Sequence, residues 1–338
     1  MQHEIVKSAA LLDKSGNIAE PGWARSLISR YSRADIKAHP LRIKEWDYYL
    51  ISNDRFALAL TIADNGYMGL ISASVLDFEK PWEQTTSVMT AFPMGKYKLP
   101  ETSAAGVTSY TDSRVNMRFG TANGVRHISC VFHKFLRDET LEAELTLTDE
   151  PRHSMVIATP FEKPKAFYYN QKINCMRSDG FMRLGGKTYD FSGEDSFATL
   201  DWGRGVWTYD NTWYWGNGNG TVNGHRVGFN IGYGFGDTSA ASENMIIYDG
   251  TAHKLSKVSF NIPADSYTKP WTFTSDDGRF EMDFVPVIDR AARTNALIIE
   301  SDQHQVFGRF TGKMVLDGGD VIELKDFMGF AEKVHNRY

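Results

Sequence analysis

The sequence predicts an all-β fold of sandwich or barrel type. Three observations carry that reading. From Trp46 onward, bulky apolar residues recur with a period of two, the pattern of half-buried strands. The apolar runs are short and are broken at close spacing by Gly, Pro, Asn and Asp, with 29 glycines in the chain. No convincing long amphipathic helix occurs between residues 45 and 330, so β layers must supply the core.

The elements follow in order. Residues 1–40 are mixed in character. Residues 22–32 (G-W-A-R-S-L-I-S-R-Y-S) read as a short helix or an irregular arm laid on the body. Arg25, Arg30 and Arg33 make this region locally basic, the pattern of a solvated face. W-D-Y-Y-L-I-S from Trp46 is a strand, Asn53-Asp54-Arg55 a turn, and F-A-L-A-L-T-I-A a second strand. Asn65-Gly66 is strong turn chemistry, and a third strand runs on to Phe78. Further runs at 115–119, 127–135, 141–148, 167–176 and 181–184 continue the pattern.

Short matches recur at a nearly constant offset. D-S-R-V-N-M-R-F at Asp112 resembles D-G-R-F-E-M-D-F at Asp277, and W-D-Y-Y at Trp46 resembles W-Y-W at Trp213. Together they indicate two similar β lobes. The boundary is placed near the P-F-E-K-P-K segment, giving an N-terminal lobe with its arm over 1–160 and a C-terminal lobe over 161–338.

Composition narrows the function. The chain has 338 residues and a net charge of −5. A nucleic-acid partner would want a basic face, so none is expected. No apolar run reaches the eighteen or so residues of a membrane span. The N-terminus lacks a charged-then-apolar signal pattern. Cys130 and Cys175 read as free buried thiols in a reducing compartment, and a cytoplasmic location follows as the expectation.

Residues 195–249 concentrate chemistry. Asp201-Trp202-Gly203-Arg204-Gly205-Val206-Trp207 places an acid and a base among indole rings, with glycines flanking Arg204. One reading is a buried Asp–Arg clamp with tryptophan filler. The other is a charged group at the floor of an aromatic cavity, with Asp201 or Glu243 as partner of Arg204. Alternation puts Trp213, Trp215 and Asn217 on one strand face. In the next strand Gly228, Asn230, Gly232 and Gly234 share a face that leaves space. Either another backbone or a ligand lies over it. In S-D-Q-H-Q-V-F-G-R-F, His304 and Val306 share one face and Gln305, Phe307 and Arg309 the other. His304 is the histidine best placed for acid–base work, against the bland reading of a hydrogen-bonded or solvent-facing ring.

L-D-W-G-R-G-V-W, W-Y-W, G-F-N-I-G-Y-G-F-G-D-T-S-A-A-S-E-N, H-Q-V-F-G-R-F-T-G and G-F-A-E-K resemble the domain-of-unknown-function family 2804. K-E-W-D-Y-Y-L-I and T-I-A-D-N-G-Y-M-G-L in the first half do so too, and the resemblance runs from about Leu11 to the C-terminus. More distantly the chain resembles the two-lobed lipocalin-like group of carotenoid 1,2-hydratase (hydroxyneurosporene synthase) and some fungal cyclases. That likeness implies two consecutive calycin-type antiparallel β-barrels with few short helices, a cavity for a hydrophobic molecule, and cofactor-free acid–base chemistry. No catalytic residue of the hydratase can be aligned motif by motif, so none is transferred.

The expected function is therefore a cofactor-free hydratase, isomerase, cyclase or lyase acting on a small, partly hydrophobic or cyclic molecule in an aromatic-lined barrel cavity. Asp201, Glu243 and His304 are the candidate catalytic groups. Trp202, Arg204, Trp207, Tyr209, Trp213, Trp215, Asn230, Asn244 and Arg309 are the candidate substrate contacts. A carboxyl walled by rings has its pKa raised by desolvation, which suits a general acid. Non-catalytic binding in the manner of a lipocalin, a carbohydrate ligand stacked on tryptophan, and a packed structural protein are the alternatives. No metal-ligand spacing, dinucleotide fingerprint, phosphate loop or serine elbow appears, so neither metal nor cofactor is expected.

Overall fold

The computed structural model describes residues 2–296 and 299–337. Among these residues the chain is all β, folded into two curled antiparallel half-barrel sheets. The first sheet holds β1 (Gly22–Ala24), β2 (Lys44–Ser52), β3 (Phe56–Asp64), β4 (Met68–Asp77), β5 (Trp82–Ala91), β6 (Gly106–Thr111), β7 (Val115–Ala122), β8 (Val125–Leu136), β9 (Glu139–Thr148), β10 (Met155–Pro160), β11 (Phe167–Leu184), β12 (Lys187–Phe191) and β13 (Phe197–Val206). The second holds β14 (Asp210–Val222), β15 (His225–Tyr233), β16 (Met245–Tyr248), β17 (Thr251–Lys254), β18 (Val258–Asn261), β19 (Trp271–Ser275), β20 (Phe280–Ala296), β21 (Ile299–Val315) and β22 (Val321–Arg337).

Both sheets follow one plan. Four strands meander outward, and the first of the four pairs on its other side with the last strand of its sheet. In the first sheet β2 pairs with β13, and in the second β14 pairs with β22. Trp46 on β2 and Trp213 on β14 thus occupy corresponding strands, which is what the W-D-Y-Y/W-Y-W match reflects. The Asp112 and Asp277 matches mark two hairpin turns. Each aspartate accepts a bond from the backbone N–H two residues on, at 2.7 and 3.1 Å, the usual Asx-turn device.

The change of sheet falls at residues 207–209 and not at residue 160. The Pro160–Lys165 segment, expected as a boundary, connects β10 to β11 within one sheet, with Pro160 opposite Phe167. Residues 161–206, expected with the second lobe, complete the first, and they carry the Asp-Trp-Gly-Arg-Gly segment as part of β13. The arm is not helical. Gly22–Ala24 is a strand, and single 3₁₀ turns occupy Arg33–Asp35 and Pro40–Arg42. The arm straps the two sheets together: His3 N–H bonds Ala240 O at 2.9 Å, and Gln2 Nε2 bonds Leu255 O at 2.7 Å. Among the described residues no helix is long and apolar enough to cross a membrane.

Each sheet wraps its own core. Ile51, Leu58, Ile71, Phe132, Leu200 and Trp202 fill the first lobe, and Phe229, Phe273, Phe284 and Phe310 fill the second. Burying one such side chain contributes about 1.5–3 kcal/mol. The expected barrel cavity is therefore occupied by the chain's own rings. A small space of about 10 Å³ lies by Arg126 and Trp202 in the first lobe, room for about one water. Two further apolar clusters lie where the lobes meet. One gathers Trp23, Tyr168, Trp207, Phe235 and Met245, and the other Tyr48, Leu76, Phe78, Trp215, Phe307 and Phe330. Cys130 and Cys175 are free and buried, and burial pushes both thiols up to about 12.

Candidate functional site between the lobes

Strand alternation sorts the central stretch onto two faces. On β13, Ala198, Leu200, Trp202 and Val206 point into the first core. Thr199, Asp201, Gly203 and Gly205 therefore point outward, toward the second lobe. On β11 the outward set is Tyr168, Asn170 and Lys172, and on β2 it is Trp46, Tyr48 and Leu50. The register puts Asp201 directly between Lys172 and Tyr48. In the second sheet Trp215 lies opposite both Gly232 and Glu332, and Glu332 opposite Gln305. Two polar rows thus face each other across an apolar seam.

The rows meet in a buried polar cluster. Lys172 Nζ is 2.8 Å from Asp201 Oδ1 and 4.0 Å from the centre of the Trp215 ring. Asn170 Nδ2 donates to Asp201 Oδ1 at 2.6 Å and to Trp202 O at 2.9 Å, while its own Oδ1 is buried without a partner. Trp215 Nε1 donates to Asn230 Oδ1 at 2.6 Å, and Asn230 Nδ2 donates to Glu243 O at 2.8 Å. Glu332 accepts from Trp213 Nε1 at 3.0 Å and from Gln305 Nε2 at 2.9 Å. Asp201, Trp215, Glu243 and Glu332 are each only 7% exposed.

Electrostatics separates the carboxyl groups. Burial pushes Glu243 up to about 7, with the Asp201 charge adding to the rise and the Lys172 and Lys254 charges opposing it. Glu332 is also raised by burial, against the pull of its bonds from Trp213 and Gln305. Burial lowers Lys254 to about 7 despite the nearby Glu243. Its ammonium donates to Ser242 Oγ and Asn244 O, both at 2.8 Å, and to Leu255 O at 3.0 Å. Tyr168 is held well above its ordinary value by burial and by Glu243, Asp201 and Glu332 in that order. A carboxyl protonated near neutrality thus stands beside a carboxylate paired with an ammonium. That combination can give a proton at one point and accept one at another.

The family model described as Domain of unknown function (DUF2804) matches residues 2–338. The chain belongs to this family. No curated protein matches the sequence. Among solved structures, this DUF2804 chain is similar to an assigned AttH protein of Nitrosomonas europaea at a TM-score of 0.52 and 11% identity. That match covers 90% of this chain and 96% of the other, and the likeness shows a shared fold. Kievitone hydratase of Nectria haematococca aligns at a TM-score of 0.47 and 10% identity, covering 98% of each chain. CghA with Sch210972 aligns at 0.47 and 10%, covering 98% of this chain and 97% of that one.

Of the residues singled out from the DUF2804 sequence, Asp201, Glu243, Trp213, Trp215 and Asn230 converge between the lobes. Trp207 packs nearby, edge-on to Trp46 at 5.4 Å and to Phe235 at 5.3 Å. The others lie elsewhere. Arg204 points into the first lobe and is fully buried. It donates from Nη1 to Trp46 O at 2.7 Å and Asp47 Oδ1 at 3.0 Å, and from Nη2 to Pro100 O at 2.8 Å. Its partners are Asp47 and, at 3.8 Å, Glu45, rather than Asp201 or Glu243. Trp202 lies under its guanidinium at 4.1 Å. The expected Asp201–Arg204 clamp is therefore not formed: Arg204 is held by Asp47 and Glu45 within the first lobe, and Asp201 pairs with Lys172.

His304 sits on the β20–β21 hairpin, 2.7 Å from Asp289 and stacked on Tyr267 at 3.7 Å. Its neighbour Gln305, on the opposite face, is the one that reaches the cluster. Tyr209 is 48% exposed at the junction of the sheets. Asn244 ties β15 to the segment after β17, accepting from Gly232 N at 2.7 Å and donating to Ser256 O at 2.7 Å. Arg309 bridges the rim, 2.8 Å from Asp54 Oδ1. The Gly/Asn face of β15 is covered by the chain itself: a Cβ on Gly228 would stand 2.5 Å from Cys175 Sγ, and one on Gly232 would stand 2.9 Å from Tyr214 O.

Lys172, Asn170, Tyr168, Glu332 and Gln305 were missed. The alternation Tyr168, Asn170, Lys172 in F-Y-Y-N-Q-K-I was the available signal. It was masked because Phe167, Tyr169 and Ile173 are buried on the other face.

Proposed function

We propose that this DUF2804 chain is an enzyme of acid–base type whose active site is the cluster between its lobes. The single observation behind this reading is Glu243, held near 7, set against the Asp201–Lys172 pair. In the proposed reaction the Glu243 carboxyl gives a proton to the substrate. Asp201 accepts one from another position, and the Lys172 ammonium stabilises negative charge that develops between them. Hydration, elimination and proton-transfer isomerisation or cyclisation would all fit this pair of roles. Trp46, Trp213, Trp215 and Tyr168 suit a partly hydrophobic or cyclic substrate, and the unpartnered Asn170 Oδ1 offers it an acceptor. Because the cluster is enclosed, access requires the rim between the sheets to open.

The test starts with mass spectrometry of small molecules that leave the native protein on denaturation. Asp201→Asn and Glu243→Gln are then assayed separately for binding and turnover of those molecules and their unsaturated or hydrated relatives. Binding retained with turnover reduced about 10²–10⁴-fold supports the enzyme. Unchanged turnover in both variants removes the assignment. Binding with no turnover in the wild-type protein would instead favour a carrier.

A further inference from the structure

The second lobe covers only part of the outer face of the first sheet. At one end of the β3–β4 hairpin, Phe78 meets Phe307 at 5.5 Å and Ser74 Oγ accepts from Arg290 Nη1 at 3.0 Å. Toward the other end, the direct cross-strand pairs Met68–Ala91 and Leu70–Met89 stand on the same outer face, because Ile71 and Ala73 point into the core. Met89 is 68% exposed, and the following loop adds Phe92 at 54% and Met94 at 42%.

This exposure is built rather than incidental. Phe92 has φ 50° and Met94 φ 45°, left-handed conformations that side-chain-bearing residues seldom adopt. The loop is fixed in that shape. Gly95 N–H bonds the buried Asp64 carboxylate at 2.6 Å, Phe92 N–H bonds Tyr67 O at 2.9 Å, and Pro93 and Leu99 are buried. The bonded loop thus holds Phe92 and Met94 in solvent. The charge is equally selective. From residue 65 to 76 and from 84 to 100 the only charged side chains are Lys96 and Lys98, both exposed, in a chain of net charge −5.

We propose that this tip docks on an anionic lipid surface, with Phe92, Met94 and Met89 entering the headgroup layer and Lys96 and Lys98 meeting the phosphates. The lysines favour lipid over a second copy of the chain, since a two-fold contact would set like charges face to face. The physics is that of interfacial anchors: apolar area gives depth, and each lysine adds about fivefold in affinity near an anionic surface.

The test uses the full-length protein sedimented with vesicles of phosphatidylcholine alone or mixed with phosphatidylserine, at low and physiological salt. Binding is expected to the mixed vesicles, weakened by salt. It should fall at least tenfold in Phe92→Ser/Met94→Ser and further in Lys96→Glu/Lys98→Glu. Phe92→Gly/Met94→Gly relieves the left-handed backbone, so it should melt no lower than the wild type while losing binding. Three results would overturn the proposal: no sedimentation with mixed vesicles at low salt, undiminished binding by the glycine variant, or a wild-type dimer in solution that the serine variant dissolves.

Discussion

Glu243 and Lys172 make opposite demands on the space between the lobes, and each gives a measurable consequence. The folded protein holds the Glu243 proton up to about pH 7, whereas the unfolded chain releases it near 4.5. Between those values the folded state binds more protons, so this group's contribution to stability is full below about 4.5 and is lost as pH rises toward 7. Glu243→Gln should therefore flatten the decline over that window, gaining on the order of 3 kcal/mol relative to the wild type at pH 8 compared with pH 4. Chemical denaturation across pH would show it, and parallel curves would exclude it. Lys172→Met leaves the Asp201 carboxylate buried without its ammonium and should cost about 3–5 kcal/mol. The double change Lys172→Met/Asp201→Leu should recover most of that loss, and a double-mutant cycle measures the coupling. Gly203 works through shape alone. A Cβ there would stand 2.0 Å from the Trp46 ring, so Gly203→Ala should cost about 1–3 kcal/mol or more, with a matching change in tryptophan fluorescence.

β13 shows how far a sequence can be read at the level of single strands. It is a regular strand whose alternation sets Asp201 on the face opposite Trp202 and Arg204, although the motif read as sequence groups all three in one site; on β21 the alternation read from the sequence does separate His304 from Gln305. The D-W-G-R-G motif thus serves two sites, one on each face. Its arginine belongs to the first core, where Glu45 also accepts from Tyr31 at 2.8 Å. Arg204→Met should therefore unfold the first lobe more readily, by about 3–5 kcal/mol. It should leave the pH dependence conferred by Glu243 unchanged, which pH-resolved melting would reveal. The polar half of β11 escaped detection because a strand covered on both faces loses its visible polar–apolar contrast. Nor does composition reveal the bulge at Cys175, where φ is 58° and the register shifts between Ile173 and Met176. That bulge fills the space beside Gly228 that looked suited to a ligand. Fold class, the two-lobe plan and half of the interlobe cluster were legible. The facing of two sheets was not, because pairing within a sheet leaves local patterns, whereas packing between sheets depends on contacts far apart in the chain.

At the scale of the whole molecule, the lobes are joined by an apolar seam, a polar cluster, the N-terminal arm and the Arg309–Asp54 bridge at the rim. The bridge is exposed on the Asp54 side, so Arg309→Ala should change stability by no more than about 1 kcal/mol. Its effect belongs in the rate at which the seam opens, measurable as faster hydrogen exchange of β2 and β14 at unchanged melting temperature. The pairing of β2 with β13 has a consequence for synthesis. As the chain leaves the ribosome, β2 acquires β3 at once, but its other edge waits for residues 197–206. At usual elongation rates that delay is on the order of ten to thirty seconds. During it, an open strand edge is exposed together with Trp46 and Tyr48, a template for wrong pairing. A fragment ending at residue 160 should remain in that state and aggregate, whereas one ending at residue 208 can close its sheet. Nascent chains stalled at these two lengths and probed by limited proteolysis would tell them apart. The need for shelter during biosynthesis would then be set by where one late strand lies in the reading order.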